Sequence, residues 1–285
     1  MRLPTQLLRN KKKVHKNNFG HVLILAGSRS MLGAGALSSL AAIRAGAGLV
    51  TLGIPKSLNL TAQKKISNVV MTFPLTETKE QTLSLSSLKQ IKENIKKFTC
   101  LAIGPGLSTN KSTQKLILEI IENSKIPLVI DADALNAASL DKTVLKKSLC
   151  EKILTPHPGE MARLTRLSKT LIEKNRKKIS LDFARKYKCV LLLKGNNTIV
   201  ASKEGKTYIN KTGNTGMAKA GSGDVLTGII AAFIAQGLSA FDASKFGVYI
   251  HGKAGDIAAK QKTKTSMIAT DIIDNIGQAI KVSRE

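Results

Sequence analysis

Short apolar runs rich in Leu, Ile and Val recur along the chain, spaced by stretches of helical length, and the strongest of them end in glycines, prolines or polar loops. No other feature constrains the fold as tightly. Strands that alternate with helices at this spacing build a mostly parallel sheet with helices on both faces. In such sheets ligands bind beyond the carboxyl ends of the strands, where the glycine- and proline-rich loops of this chain fall.

Residues 21–26 predict a buried strand, followed by a loop at 27–30, a small-residue helix at 33–47 and a strand at 49–54. A strand at 69–73, a helix at 85–97 and a strand at Cys100–Ile103 follow. Lys111–Asn123 predicts a helix, Leu128–Ile130 and Lys152–Leu154 predict strands, 171–187 a helix and 189–193 a strong strand. Residues 198–201 and Thr207–Ile209 read as a hairpin near the sheet edge. Two or three helices come after the glycine-rich loop at 213–223, the last near 269–282. No linker, repeat or break in composition interrupts the 285 residues, so one domain over 1–285 is expected.

A hydrophobic content of 42% supports a sizeable core, while 4% aromatics and no Trp suit tight helix-on-sheet packing better than a platform for stacking bases. Cys100, Cys150 and Cys189 are far apart and form no CxxC, which argues against a thiolate metal site and for a reduced, cytoplasmic chain. Residues 1–16 are basic but lack the apolar core of a secretory signal. The most apolar stretch, 225–235, falls short of the ~20 residues that span a bilayer, so no membrane association is expected. The net charge of +26 invites a nucleic-acid partner. Its lysines are scattered, however, and no RNP-like or zinc-finger pattern accompanies them; solvated helix faces and steering of anionic nucleotides account for the charge instead.

The loop from Gly213 to Asp224 (GNTGMAKAGSGD) is the most informative motif. Gly221 and Gly223, flanking Ser222, let backbone approach a ligand, and the apolar helix that follows would present free amides and a dipole to an anion. At a helix start Asp224 reads either as a cap or as a functional carboxylate, with the dipole expected to lower its pKa. Lys194-Gly195-Asn196-Asn197-Thr198 follows a strand; it is a phosphate contact or a plain Asn-rich turn. In Thr155-Pro156-His157-Pro158-Gly159-Glu160 two prolines stiffen the backbone around a His, and Glu160 could simply start the next helix. Asp131 and Asp133 stand just past a strand and could hold Mg²⁺ through water, orient a substrate, or cap a helix. Gly104-Pro105-Gly106-Leu107 and Gly33-Ala34-Gly35 mark close backbone approaches. Backbone amides, carboxylates and one Lys suit nucleotide phosphate chemistry. A Walker A loop, a GxSxG elbow and a GxGxxG loop after the first strand are all missing.

In order, the segments GHVLILAGS, GAGALSSLAAIRAGAGLV, AIGPGL, PLVIDADALN, LTPHPGEMARL, LLLKGNNTIVA, GNTGMAKAGSGDVLTGIIAAF and GVYIHGKAGD resemble the ADP/ATP-dependent NAD(P)H-hydrate dehydratase family. Thr215 stands where the family often has Pro, and no counterpart of the epimerase domain fused to some members is expected. The resemblance implies a ribokinase-like three-layer α/β/α sandwich with a mostly parallel central sheet. It implies ADP- or ATP-dependent dehydration of the S-epimer of hydrated NADH and NADPH (NADHX and NADPHX), with Mg²⁺ on the nucleotide.

Carried over by residue, the hydrate meets Ala34, Gly106, His157 and Asp224, and Asp224 takes the hydroxyl proton. The nucleotide is held by Lys194, Gly195, Asn196, Asn197, Thr198 and Gly223. Gly221, Ser222, Asp131 and Asn136 support the two sites. A homo-oligomer, possible as a tetramer, and a separate epimerase partner are further expectations. The rival readings are a kinase of a thiazole or pyrimidine vitamin precursor in the same superfamily, and a basic nucleic-acid-binding protein.

Overall fold

The computed structural model describes residues 1–8 and 13–284. Its strands are His21–Leu25 (β1), Leu49–Pro55 (β2), Met71–Leu75 (β3), Cys100–Ile103 (β4), Leu128–Ile130 (β5), Lys152–Leu154 (β6), Val190–Leu193 (β7), Ile199–Ala201 (β8) and Thr207–Ile209 (β9). They form one sheet in the order β3-β2-β1-β4-β5-β6-β7-β8-β9. Pairing is parallel from β3 to β7, and the β8–β9 hairpin adds two antiparallel strands at the edge.

In chain order the helices are Leu32–Arg44 (α1), Asn59–Lys65 (α2), Leu88–Asn94 (α3), Lys111–Asn123 (α4), Ala132–Leu140 (α5), Thr143–Lys147 (α6) and Pro158–Thr165 (α7). Lys169–Lys174 (α8), Arg176–Tyr187 (α9), Ser222–Ala235 (α10), Ala240–Gln261 (α11), Ala269–Asp274 (α12) and Ile276–Lys281 (α13) complete them.

Side chains alternate across each strand, so one strand feeds two cores. Val22 and Ile24 join Val50, Leu52 and Ala102 under α1, α2 and α10 to α13. Leu23 and Leu25 join Leu101 and Ile103 under α3 to α9. Covering both faces of a parallel sheet explains why its strands are apolar without alternation. The α/β sandwich expected from the alternation is what forms. Buried α10 packs against the small residues of α1; a Cβ at Gly228 would stand 2.1 Å from Ser38 O. Cys100 and Cys189 are buried, and desolvation raises both thiol pKa values. No helix among the described residues is long and apolar enough to cross a membrane.

Two expected helices are broken. Region 85–97 divides into a 3₁₀ turn, α3 and a second 3₁₀ turn, and 171–187 lies in α8 and α9. One junction of the first region falls at Ser87 and the other at Asn94, and the second region divides at Asn175; Asn94 Nδ2 donates to Gln90 O at 2.9 Å and Asn175 Nδ2 to Leu171 O at 3.2 Å. Four helices rather than two or three follow the glycine loop.

The strand order reverses at β1, whose neighbours are β2 on one side and β4 on the other. The loops after β1 and β4 meet there, with Gly27 N donating to Pro105 O at 2.8 Å. Such a switch point opens a crevice beyond the strand ends.

Candidate active site

Asp131, at the end of β5, occupies the N-cap position of α5 but makes no capping bond. Its oxygens are used elsewhere. Oδ1 accepts from Lys194 Nζ at 2.8 Å, from the end of β7, and Oδ2 accepts from Thr227 Oγ1 of α10 at 2.7 Å. Burial alone would raise the Asp131 pKa, but the Lys194 charge and hydrogen bonds from Lys194, Thr227 and Thr155 hold it below the usual carboxylate range. Burial likewise opposes the Lys194 charge, and Asp131 with Glu160 outweighs that and raises its pKa. A pair this buried resists loss of either partner, because the survivor would remain as an uncompensated charge.

The glycine loop delivers α10 to this pair. Gly221 is the N-cap with φ +87°, and a Cβ there would stand 2.6 Å from Leu37 Cδ1. The first backbone bond of the helix runs from Val225 N to Gly221 O, leaving the Gly223 and Asp224 amides outside the ladder. Gly223 faces Lys194, whose Nζ lies 3.3 Å from where a Cβ would be. Asp224 is no cap: no side chain closes this helix start, and its carboxylate accepts no hydrogen bond from the described residues. The expected dipole-lowered pKa is overturned. Burial, then the charge of Asp131, pushes Asp224 up to about 7 despite Lys194.

His157 does cap a helix. Its Nδ1 accepts from Gly159 N at 2.9 Å and Glu160 N at 3.3 Å, while its own backbone N–H donates to Glu160 Oε2 at 2.8 Å. With Nδ1 an acceptor, the neutral ring carries its proton on Nε2, and burial followed by Lys194 lowers its pKa. Glu160 does begin α7, but it is also buried and lies 3.9 Å from Lys194 Nζ. Burial is the main cause that raises its pKa to about 7.

A cavity of about 910 Å³ brings together His157, Lys194, Gly195, Asn196, Asn197, Thr198, Ser222 and Gly223 with the glycine loop and one face of α11. Ala34 and Gly106 meet at the β1–β4 crevice, where a Cβ on Gly106 (φ +63°) would stand 3.0 Å from Ala34 Cβ. Gly35 packs on Leu52, whereas Gly33 faces open space, so only part of the Gly33-Ala34-Gly35 expectation holds. Asn136 is committed to scaffold bonds, donating to Asp133 Oδ1 at 3.1 Å and accepting from Arg163 Nε at 2.9 Å. Asp133 in turn accepts from Ser108 N at 2.8 Å. A smaller hollow of about 480 Å³, beside Leu149 and Cys150, is remote from these groups.

Sequence reasoning gave no role to Thr227 or His251. Thr227 lies three and four residues after Asp224 and Gly223, a helical spacing that places it on their face. His251 Nε2 is 3.3 Å from Ser222 Oγ, with burial pushing its pKa down to about 4. Only tertiary contact brings these two together.

A three-layer sandwich whose glycine loop aims a helix N-terminus at a buried Lys–Asp pair places the protein among the ribokinase-like folds. The chain belongs to the NAD(P)H-hydrate dehydratase family, whose profile matches residues 22–278. It is similar to a bifunctional NAD(P)H-hydrate repair enzyme of Moorella thermoacetica, at 44% identity over 95% of this chain and 51% of that one. It thus spans about half the length of such relatives. The ADP-dependent (S)-NAD(P)H-hydrate dehydratase of Bacillus subtilis is 31% identical over 91% of this chain and 88% of its own. The crystal structure of the Bacillus subtilis ADP/ATP-dependent NAD(P)H-hydrate dehydratase, co-crystallised with ATP/Mg²⁺, superposes with a TM-score of 0.83 at 27% identity, over 96% and 94% of the two chains.

Proposed function

We propose that this protein uses ADP or ATP to dehydrate the S-epimers of NADHX and NADPHX back to NADH and NADPH. The observation that carries the reading is Asp224: a carboxylate with no hydrogen bond among the described residues, pushed up to about 7 by burial, beside amides and a lysine suited to phosphate.

In the hydrate, water has added across a ring double bond and left a hydroxyl at C6. Hydroxide is a poor leaving group and phosphate a good one. Asp224 accepts the C6 hydroxyl proton as that oxygen takes the terminal phosphoryl group of the nucleotide, whose bridging P–O bond breaks to release AMP from ADP or ADP from ATP. The Gly221–Gly223 amides and Lys194 stabilise the phosphoryl oxygens in transit. The ring nitrogen lone pair then expels phosphate, and loss of the C5 proton restores the double bond. Ala34, Gly106 and His157 hold the hydrate, while Lys194, Gly195, Asn196, Asn197, Thr198 and Gly223 hold the nucleotide. Asp131 fixes Lys194 and Asn136 fixes α5 to α7.

Among the described residues no three His, Cys, Asp or Glu side chains converge to hold a metal. Both Asp131 oxygens are also engaged. Mg²⁺ would therefore rest chiefly on the nucleotide phosphates, with Asp224 and Glu160 as the ionisable oxygens close to Lys194. Its contribution there is to neutralise phosphate charge. The chain would assemble as a homo-oligomer and work in the cytoplasm beside an epimerase that converts the other hydrate epimer.

The decisive experiment incubates pure protein with chemically prepared NADH hydrate and each nucleotide in turn. Dihydronicotinamide absorbance should return only with ADP or ATP, in step with phosphate released. Recovery in nucleotide-free protein would defeat the proposal.

A further inference from the structure

The segment GVYIHGKAGD on α11 has no part in the chemistry above, yet its face carries the glycine loop. Gly252 and Gly255 clear the space the loop occupies: a Cβ on Gly252 would stand 2.2 Å from Thr212 Oγ1, and one on Gly255 would stand 2.3 Å from Met217 Sδ. Beside them Asp256 accepts from Gly213 N at 3.0 Å and from Asn214 Nδ2 at 3.1 Å. Asn214 also donates to Gly255 O at 2.9 Å and accepts from Gly216 N at 2.9 Å. Every polar atom of the Asn214 amide is thus used. Rotating that amide would set its oxygen against the Asp256 carboxylate and the Gly255 carbonyl, so the amide has one workable orientation. No cation pairs with Asp256 among the described residues, and its charge is met by loop donors.

We infer that Asp256 and Asn214 are a coupled pair of positioning residues that pre-set the glycine loop for nucleotide binding. The loop has little regular structure of its own, only a 3₁₀ turn at Thr215–Met217, and Gly213 and Gly221 both take positive φ. A loop so rich in glycine would lose much conformational freedom if it ordered only on binding. Anchoring it beforehand moves that entropic cost from binding to folding, so the nucleotide meets a formed cradle. The anchor holds the loop's first residues, while the start of α10 is set separately by Gly221 at its N-cap. The inference rests on the nucleotide role proposed for this loop.

The test is a double-mutant cycle on the full chain: Asp256→Ala, Asn214→Ala and the double variant. ADP and ATP affinity are read by calorimetry, with kcat, both KM values and melting temperature on the same preparations. Each single variant should weaken nucleotide binding by about tenfold or more, and the double variant no further than the worse single. At saturating nucleotide, kcat should stay within about twofold and hydrate KM unchanged, because the pair touches neither Asp224 nor the hydrate side. Asp256→Asn, nearly isosteric, still accepts from Gly213 N but turns an NH₂ toward Asn214 Nδ2; it should behave like Asp256→Ala and covers the case in which alanine prevents folding. Additive effects, unchanged nucleotide affinity, or a joint fall of kcat, both affinities and melting temperature would each overturn the inference. If wild-type protein bound neither ADP nor ATP, the nucleotide reading itself would fail and take the inference with it.

Discussion

Three carboxylates crowd around Lys194, and their surroundings give them different ionisation. Asp131 is held ionised by Lys194 and hydroxyl donors, while Asp224 and Glu160 are pushed up to about 7, chiefly by burial. Environments that separate like groups in this way assign them separate tasks. Asp224→Asn cannot accept the hydroxyl proton, so turnover should fall by on the order of 10²-fold or more while nucleotide binding persists. The accompanying stability effect has a definite sign. A carboxylate whose pKa rises from 3.8 to about 7 on folding contributes stability below its unfolded value that is lost as pH rises through about 7. At pH 8 Asp224→Asn should therefore melt no lower than wild type, with any gain shrinking on acidification. Near-normal dehydration by this variant would remove Asp224 from catalysis. The same ionisation predicts that kcat/KM of wild type falls as pH drops below about 7, where the Asp224 carboxylate takes up its proton. A profile flat from pH 5 to 8, measured at fixed ionic strength, would contradict it.

At the scale of elements, helix starts do the positioning. Gly223→Val would place a side chain against Lys194 Nζ and block the approach of phosphate, so nucleotide affinity should drop at least about tenfold in calorimetry while hydrate binding changes little. His157→Ala removes the acceptor for two α7 amides, which should cost about 1 kcal/mol in denaturant unfolding and weaken hydrate binding more than nucleotide binding. Exchange of the two binding effects would reverse the assignment of the two sides. Several elements were legible from residue pattern alone. Leu128–Ile130, Lys152–Leu154 and Lys111–Asn123 emerge with the expected bounds, because apolar runs are local signals. The short α5 was not, since its alanines carry little periodicity, and the junctions at Asn94 and Asn175 leave no mark in the hydrophobic pattern.

For the whole molecule the net charge of +26 is the dominant long-range property. If it steers anionic nucleotides, kcat/KM for the nucleotide should fall as salt rises, with kcat nearly constant. Binding to duplex or single-stranded DNA should be weak and lose most of its strength by ~200 mM salt. A sequence-selective DNA complex surviving that salt in a gel-shift titration would reinstate the nucleic-acid reading.

Residue order by itself determined that the chain would build a sheet with both faces covered, and which loops would stand at the strand ends. Apolar period, glycine placement and strand spacing are local properties, readable along one dimension. What each polar group does there was decided only by the tertiary structure. Asp131 and Asp224 look alike in sequence, both acidic residues next to a helix start. One is paired with Lys194 and hydrogen-bonded by Thr227, 63 and 96 residues away in the chain; the other has no hydrogen-bond partner among the described residues and is raised to about 7 by burial. Desolvation and charge pairing depend on distances through space, and the fold alone sets those distances.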